Sequence, residues 1–209
     1  MSIIESLNWR YATKKFDASR TLPDAKIQVL KEAFNLTALS YGLQTLKLVV
    51  IADRTARERL VEVAYGQRQV ADASHLFVLC IQSEIDANDI DSHFQTVKQI
   101  RNTPDEILEP FKAQLKSTID SMPEIKKLDW ASRQAYIALG NLMTVCAVEE
   151  IDSCPMEGFI PGKLDEILKL NEKGLKSVLL LPVGYRAEDD MFAELKKVRK
   201  SLSETVIEL

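Results

Sequence analysis

Glycine-rich phosphate loops are missing from this chain: it contains neither Gly-x-Gly-x-x-Gly nor Gly-x-x-x-x-Gly-Lys-Ser/Thr. Any phosphate must therefore be held by side chains. Histidine is scarce, with only His75 and His93, and no Cys-x-x-Cys or His-x-x-x-His occurs, so the sequence offers no zinc site. Cys80, Cys146 and Cys154 are odd in number, and the first two lie inside apolar runs. They read as buried thiols in a reducing compartment, which makes the cytoplasm the expected location. Cys154 has no neighbouring base and reads as inert. No apolar stretch reaches the length of a membrane span, and the N-terminus meets Glu5 too early for a secretory leader, so no membrane association is expected. An excess of positive charge is also lacking. The 27 Lys and Arg are outnumbered by 31 Asp and Glu, for a net charge of -4, which excludes a general nucleic-acid binder.

With 209 residues, 46% of them hydrophobic, the chain suffices for one well-cored domain spanning residues 1–209. Ser2-Ile3-Ile4-Glu5 reads as a capping box for a short helix through Leu7. Leu22-Pro23-Asp24 opens a second helix, ending near Leu36, with Ile27, Leu30, Ala33 and Phe34 as its buried stripe. Residues 47–51 and 76–81 are strands buried on two faces, joined by a helix that Thr55-Ala56-Arg57-Glu58 would cap. Residues 86–122 form a helical excursion broken at Thr103-Pro104. A helix over 129–149 is apolar nearly all round, so it is either a central pillar or a subunit interface. Residues 176–185 form the strongest strand, where Pro182 predicts an edge or a bulge. Val206–Leu209 has β character and no partner in the chain, which suggests a dimer.

Against this background two basic clusters stand out. Arg10-Tyr11-Ala12-Thr13-Lys14-Lys15-Phe16-Asp17 follows the first helix, and Lys196-Lys197-Val198-Arg199-Lys200 lies near the C-terminus. Each alone reads as a solvated charged face. In an extended segment Lys197 and Arg199 would share one side. Pro155-Met156-Glu157-Gly158-Phe159-Ile160-Pro161 is a stiff loop whose glycine allows close backbone approach to a ligand; equally, it reads as a surface turn. Ser74 and His75 are adjacent at a strand, where neighbours point to opposite faces, so they are not expected to pair.

Taken together, these pieces resemble the nitroreductase family of FMN-dependent NAD(P)H oxidoreductases, in its oxygen-insensitive nitroreductase and dihydropteridine reductase branch. The resemblance rests on Arg10 to Asp17, Ser40 with Gln44, Asp72-Ala73-Ser74-His75, Pro155 to Phe159, Leu181 to Tyr185, and Lys197 with Arg199. It implies an α+β fold, a nitroreductase-like α/β sandwich with a mixed, mainly antiparallel sheet flanked by helices. It further implies a homodimer that exchanges a C-terminal strand and builds two FMN pockets at its interface. Arg10, Lys197 and Arg199 would take the phosphate. Lys14 and Glu157 would be catalytic, Lys14 near the N1–C2=O edge and the backbone of Glu157 and Gly158 toward N5. Tyr11, Ala12, Gln69 and Met156 complete the implied cofactor contacts, Ser40 and Tyr41 would meet the substrate, and Lys15 would only be solvated. NADH or NADPH would donate a hydride, and a nitroaromatic, quinone or dihydropteridine would accept it by a ping-pong cycle. Ala12 stands where a serine is usual, Gly66 where asparagine is frequent, and Gln69 where some members carry lysine. These departures keep open a flavin-storing or flavin-sensing protein with little turnover, and an anion-binding module without flavin.

Overall fold

The computed structural model describes residues 1–209. Helix α1 (Ile3–Trp9) begins at the expected capping box: the Ser2 hydroxyl accepts from Glu5 N–H at 3.3 Å, and the Glu5 carboxylate from Ser2 N–H at 2.6 Å. It continues past Leu7 to Trp9. After α2 (Asp24–Asn35) come β1 (Leu46–Ile51), the short α3 (Arg54–Glu58) and α4 (Gln69–Asp72), and β2 (His75–Gln82). Helices α5 (Ala87–Arg101), α6 (Asp105–Ser121) and α7 (Glu124–Val148) precede β3 (Asp152–Ser153), α8 (Pro161–Leu168), β4 (Leu175–Gly184) and α9 (Leu202–Thr205). The sheet order is β1-β2-β4-β3 with antiparallel neighbours throughout. Its parallel component is a single bridge, Ala12 to Ser153.

Strand alternation explains the layers. Phe77, Leu79 and Ile81 of β2, with Leu179, Leu181 and Val183 of β4, join Ile27 and Leu30 of α2 and Leu142 of α7 in one core cluster. Leu76, Val78 and Cys80 point the other way, with Leu180, onto Leu60, Val70, Phe159 and Leu164. A period of two thus gives β2 a core on each face, as its uninterrupted apolar run implies. Each fully buried side chain of this kind contributes about 1.5–3 kcal/mol. Helix α7 is the pillar of the first layer, burying Ala131, Ala135, Ala138, Leu142 and Cys146 while leaving Tyr136, Ile137 and Val148 exposed.

Several local expectations are corrected by the structure. The cap of α3 is Asp53, whose carboxylate accepts from Thr55 N–H at 3.2 Å and Ala56 N–H at 3.1 Å; Thr55 is inside the helix. Pro182 pairs with Leu76 within an interior strand, and the register shift lies instead at Leu79/Cys80. Its missing donor faces residues 152–156, where Cys154 N–H donates to the Pro182 carbonyl at 3.1 Å and β3 is only two residues long. The break between α5 and α6 falls at left-handed Asn102 and at Pro104, as expected, yet Ile90, Phe94, Leu115 and Ile119 join the main core. Residues 206–209 form no strand within the single chain.

Gly184, the last residue of β4, permits a close crossing. A Cβ there would sit 2.9 Å from Ser74 N and 3.1 Å from Phe16 Cδ1. Gly184→Ala is therefore expected to destabilise the fold by about 1–3 kcal/mol, read as a lower urea midpoint with an unchanged slope. An unaltered midpoint would show that the chain relaxes freely at this crossing.

Candidate active site

The N-terminal octet is strung along the β3 end of the sheet. Thr13 N–H donates to Ser153 O at 3.2 Å, Asp17 N–H to Tyr185 O at 2.9 Å, and Phe16 is buried. Arg186 reinforces this edge: it pairs with buried Asp152 at 2.6 Å and lies over the rings of Trp9 and Tyr11, at 4.4 and 4.6 Å.

The C-terminal segment returns to the octet through one carboxylate. Asp190 Oδ2 accepts from the Tyr11 hydroxyl at 2.8 Å, Lys14 N–H at 2.9 Å and Lys15 N–H at 3.1 Å, while Oδ1 accepts from Phe192 N–H at 3.1 Å. Burial alone would raise this acid; the hydrogen bonds from Lys15, Tyr11, Lys14 and Phe192 outweigh it and hold its pKa below the ordinary aspartate value. Burial and then the bond to Asp190 push the Tyr11 phenol up. Lys15 pairs with Asp189, so it is tethered as well as solvated. Lys197 Nζ donates to the Arg10 carbonyl, a second tie between the two ends.

Between these ends lies a cavity of ≈ 530 Å³. Its walls are Asn8 to Ala12 and Lys14 on one side and Phe192, Ala193 and Leu195 to Arg199 on the other, with Met143 and Pro155 completing it. Arg10, Lys197 and Arg199 all line it, and no ion pair joins any of them to a carboxylate. Arg10 is lowered from its ordinary pKa by burial and then by Arg199; Lys197 is lowered by burial, then by Arg10 and Arg199. Arg10 Nε is buried without a hydrogen-bond partner. Like charges brought together with an orphaned donor fit an anion. The Lys14 ammonium, also on the wall, has no partner among the hydrogen bonds or ion pairs.

Other expected site residues lie outside this cavity in the single chain. Met156 is buried and bridges to Leu180, its N–H donating at 2.8 Å. Glu157 accepts from the Tyr136 hydroxyl of α7 at 2.8 Å, and this bond, then burial, raises the Tyr136 pKa. The Gly158 carbonyl takes Gln67 Nε2 at 2.7 Å, and a Cβ on Gly158 would meet that nitrogen at 3.1 Å, so the loop passes closely over the turn before α4. Gln69 opens α4. Ser40 N–H donates to Gln134 at 2.9 Å, and Tyr41, at φ 59°, tilts against Trp130 with ring centroids 6.0 Å apart. Gly66, at φ +74°, occupies the left-handed region that asparagine also tolerates, so the replacement there is conservative for the backbone. Sequence reasoning missed Trp9, Phe192 and above all Asp190; the Asp189-Asp190 pair just before a basic run was its visible trace.

Ser74 lies in the bend before β2, not in the strand, and its Oγ stands 2.8 Å from His75 Nδ1, so the adjacent pair does meet. All three cysteines are free and buried, and burial raises the Cys154 thiol despite Lys14 and Arg10, in line with an inert residue. No helix is long and apolar enough to cross a membrane.

The nitroreductase family model matches residues 7–185. The Bacillus subtilis protein named "Putative NAD(P)H nitroreductase YfkO" is 34% identical over 201 residues, covering 90% of each chain. A nitroreductase-like protein of Streptococcus mutans superposes with a TM-score of 0.83 at 25% identity, covering 99% of this chain and 97% of its own. The "putative nitroreductase in complex with FMN" of Exiguobacterium sibiricum shares the fold at a TM-score of 0.85 and 17% identity, covering 100% and 98%. By its sequence from residue 7 to 185 and by its α+β sandwich, this chain belongs to the nitroreductase family.

Proposed function

We propose that the protein is an FMN-dependent NAD(P)H oxidoreductase that reduces a flat acceptor, a nitroaromatic, quinone or dihydropteridine, and works as a homodimer of single-domain chains. The observation that carries this reading is the meeting of Arg10, Lys197 and Arg199, without a carboxylate, on one ≈ 530 Å³ cavity. When bound there, FMN supplies two-electron transfer from NAD(P)H to the acceptor in a ping-pong cycle. The three cations hold its phosphate. Lys14 places an unpaired ammonium on the same wall, where a fixed cation stabilises negative charge gathered on the reduced ring system. Trp9, Met143 and Phe192 supply apolar surface that excludes water. Glu157, held by Tyr136, turns the 155–161 loop toward α7, and its backbone with that of Gly158 is the proposed N5-facing side.

Dimerisation accounts for the residues the single-chain cavity leaves out. Ile3, Ile4, Ile137, Val148, Leu202, Ile207 and Leu209 are exposed on α1, α7 and the tail, an apolar surface of the kind that association covers. In such a dimer Ser40, Tyr41 and Gln69 of one subunit or the other would complete the pocket, and the tail would add a strand to the partner's sheet.

The test is direct: purified protein should be yellow, release FMN on denaturation, and oxidise NAD(P)H in the presence of menadione or a nitroarene. No oxidation across a broad acceptor panel would overturn the enzyme reading; bound FMN in that case would favour storage, to which Ala12, lacking a hydroxyl on the cavity wall, lends support. Lys14→Ala is expected to retain FMN but slow turnover by roughly 100-fold, the usual effect of losing a fixed charge-stabilising donor. Equal turnover by the variant would remove Lys14 from the chemistry.

A further inference from the structure

A second cavity of ≈ 360 Å³ shares no lining residue with the first. Three guanidinium groups line it, and their charge is poorly compensated. Arg57 is buried, spends its Nη atoms on the carbonyls of Ala52, Val70, Ala71 and Ala73, and leaves Nε without a partner. Arg20 makes no ion pair and stacks at 3.9 Å over Tyr185. Arg54 reaches Asp72 only at 3.4 Å, while Asp72 is also held by Arg68 at 2.8 Å. The nearby Asp53 carboxylate is committed to capping α3. Arg57 is the buried member and Arg20 and Arg54 are exposed; three cations on one wall predispose the space to an anion.

His75 gives the cavity a directed donor. The residue is 8% exposed, yet it lines this space. Ser74 Oγ accepts from Leu22 N–H at 2.8 Å and stands 2.8 Å from His75 Nδ1, a contact in which either atom can donate. His75 Nε2 has no protein partner, and with Ser74 donating to Nδ1 the Nε2–H is free for a ligand. Burial, followed by Arg57 and Lys31, lowers the imidazole pKa, and Asp24 opposes them, so Asp24 acts on the same space. Asp24 is the one carboxylate on the cavity wall. Facing an oxyanion, an ionised carboxylate accepts a hydrogen bond from a protonated one and repels one that has no proton.

We propose that this cavity binds inorganic hydrogenphosphate, with Arg20, Arg54 and His75 Nε2 donating to its oxygens and Asp24 accepting from its P–OH group. The acid makes the site selective against sulfate, which is fully deprotonated at neutral pH. None of these residues lines the proposed oxidoreductase cavity.

With only two histidines, the imidazole NMR signals give a clean readout, His75 being assigned by comparison with His93→Gln. Inorganic phosphate is titrated into protein kept in excess FMN, so that the larger cavity is not the one sampled. The His75 signal should move saturably, with a Kd of about 1 mM or tighter, while His93 stays still. Sulfate should not saturate it, and Arg54→Gln should weaken phosphate about 10-fold. Absent or linear movement of His75, or an unchanged Kd in Arg54→Gln, would overturn the site. Sulfate binding as tight as phosphate would overturn the role of Asp24 and with it the assigned ligand.

Discussion

Asp190→Ala is expected to strip the protein of FMN and to lower its thermal midpoint. The carboxylate accepts four hydrogen bonds, three of which join the 186–200 segment to Tyr11, Lys14 and Lys15, and it is 4% exposed. Hydrogen bonds to a charged group contribute about 1.5–3 kcal/mol each and do not simply add, so a loss of at least about 2 kcal/mol is expected. For a chain of this size that is roughly 4–8 °C in Tm. Releasing the segment also removes Lys197 and Arg199 from Arg10, and the FMN Kd should rise about 100-fold or more. A lowered Tm with unchanged FMN affinity would show that Asp190 supports the fold without closing the cavity. Asp190→Asn, which keeps the shape and loses the charge, should fall between. Because the folded pKa of this acid is below the ordinary ~3.9, its stabilisation is fully present above that value and is lost as pH falls through the lower folded pKa. FMN should therefore stay bound down to about pH 4 and dissociate in stronger acid.

Lys197→Ala and Arg199→Ala are each expected to weaken FMN by roughly 10- to 100-fold, as loss of a charge-assisted contact to phosphate does. The gap from the native protein should widen at low salt, where a Debye length of about 30 Å at 0.01 M leaves charges unscreened. Fluorescence titration of FMN at two ionic strengths measures both effects. Riboflavin, which lacks the phosphate, should bind native protein and variants alike. Unchanged FMN affinity in both variants would refute the joint phosphate site built from the two chain ends.

The origin of that site explains how much of it was legible. Each basic cluster is a local feature; alternation would put Lys197 and Arg199 on one side of an extended segment, but Lys196 beside them and Val198 between them line the same cavity. What brings them to Arg10 is not local. Asp190 and the Lys14 N–H it accepts are 176 residues apart, and no periodicity or cap relates them. The same reason places Pro182 in an interior strand beside a two-residue partner, whereas the Asp53 cap of α3 is a local contact just upstream of the expected Thr55 box. Ser74 and His75 meet because the bend at Ser74 suspends the strand geometry that would have parted them.

By itself the sequence determined the elements whose physics is short-range: the Ser2–Glu5 capping box, the two-faced strands, the broken helical excursion, and the need for side chains to hold any phosphate. It also carried the family, through residues spread from Arg10 to Tyr185. Only the tertiary structure decided which cations share a cavity and which carboxylate closes it. Such pairings depend on the path of the whole backbone, because burial makes a hydrogen bond or an uncompensated charge consequential only after distant segments have been packed together.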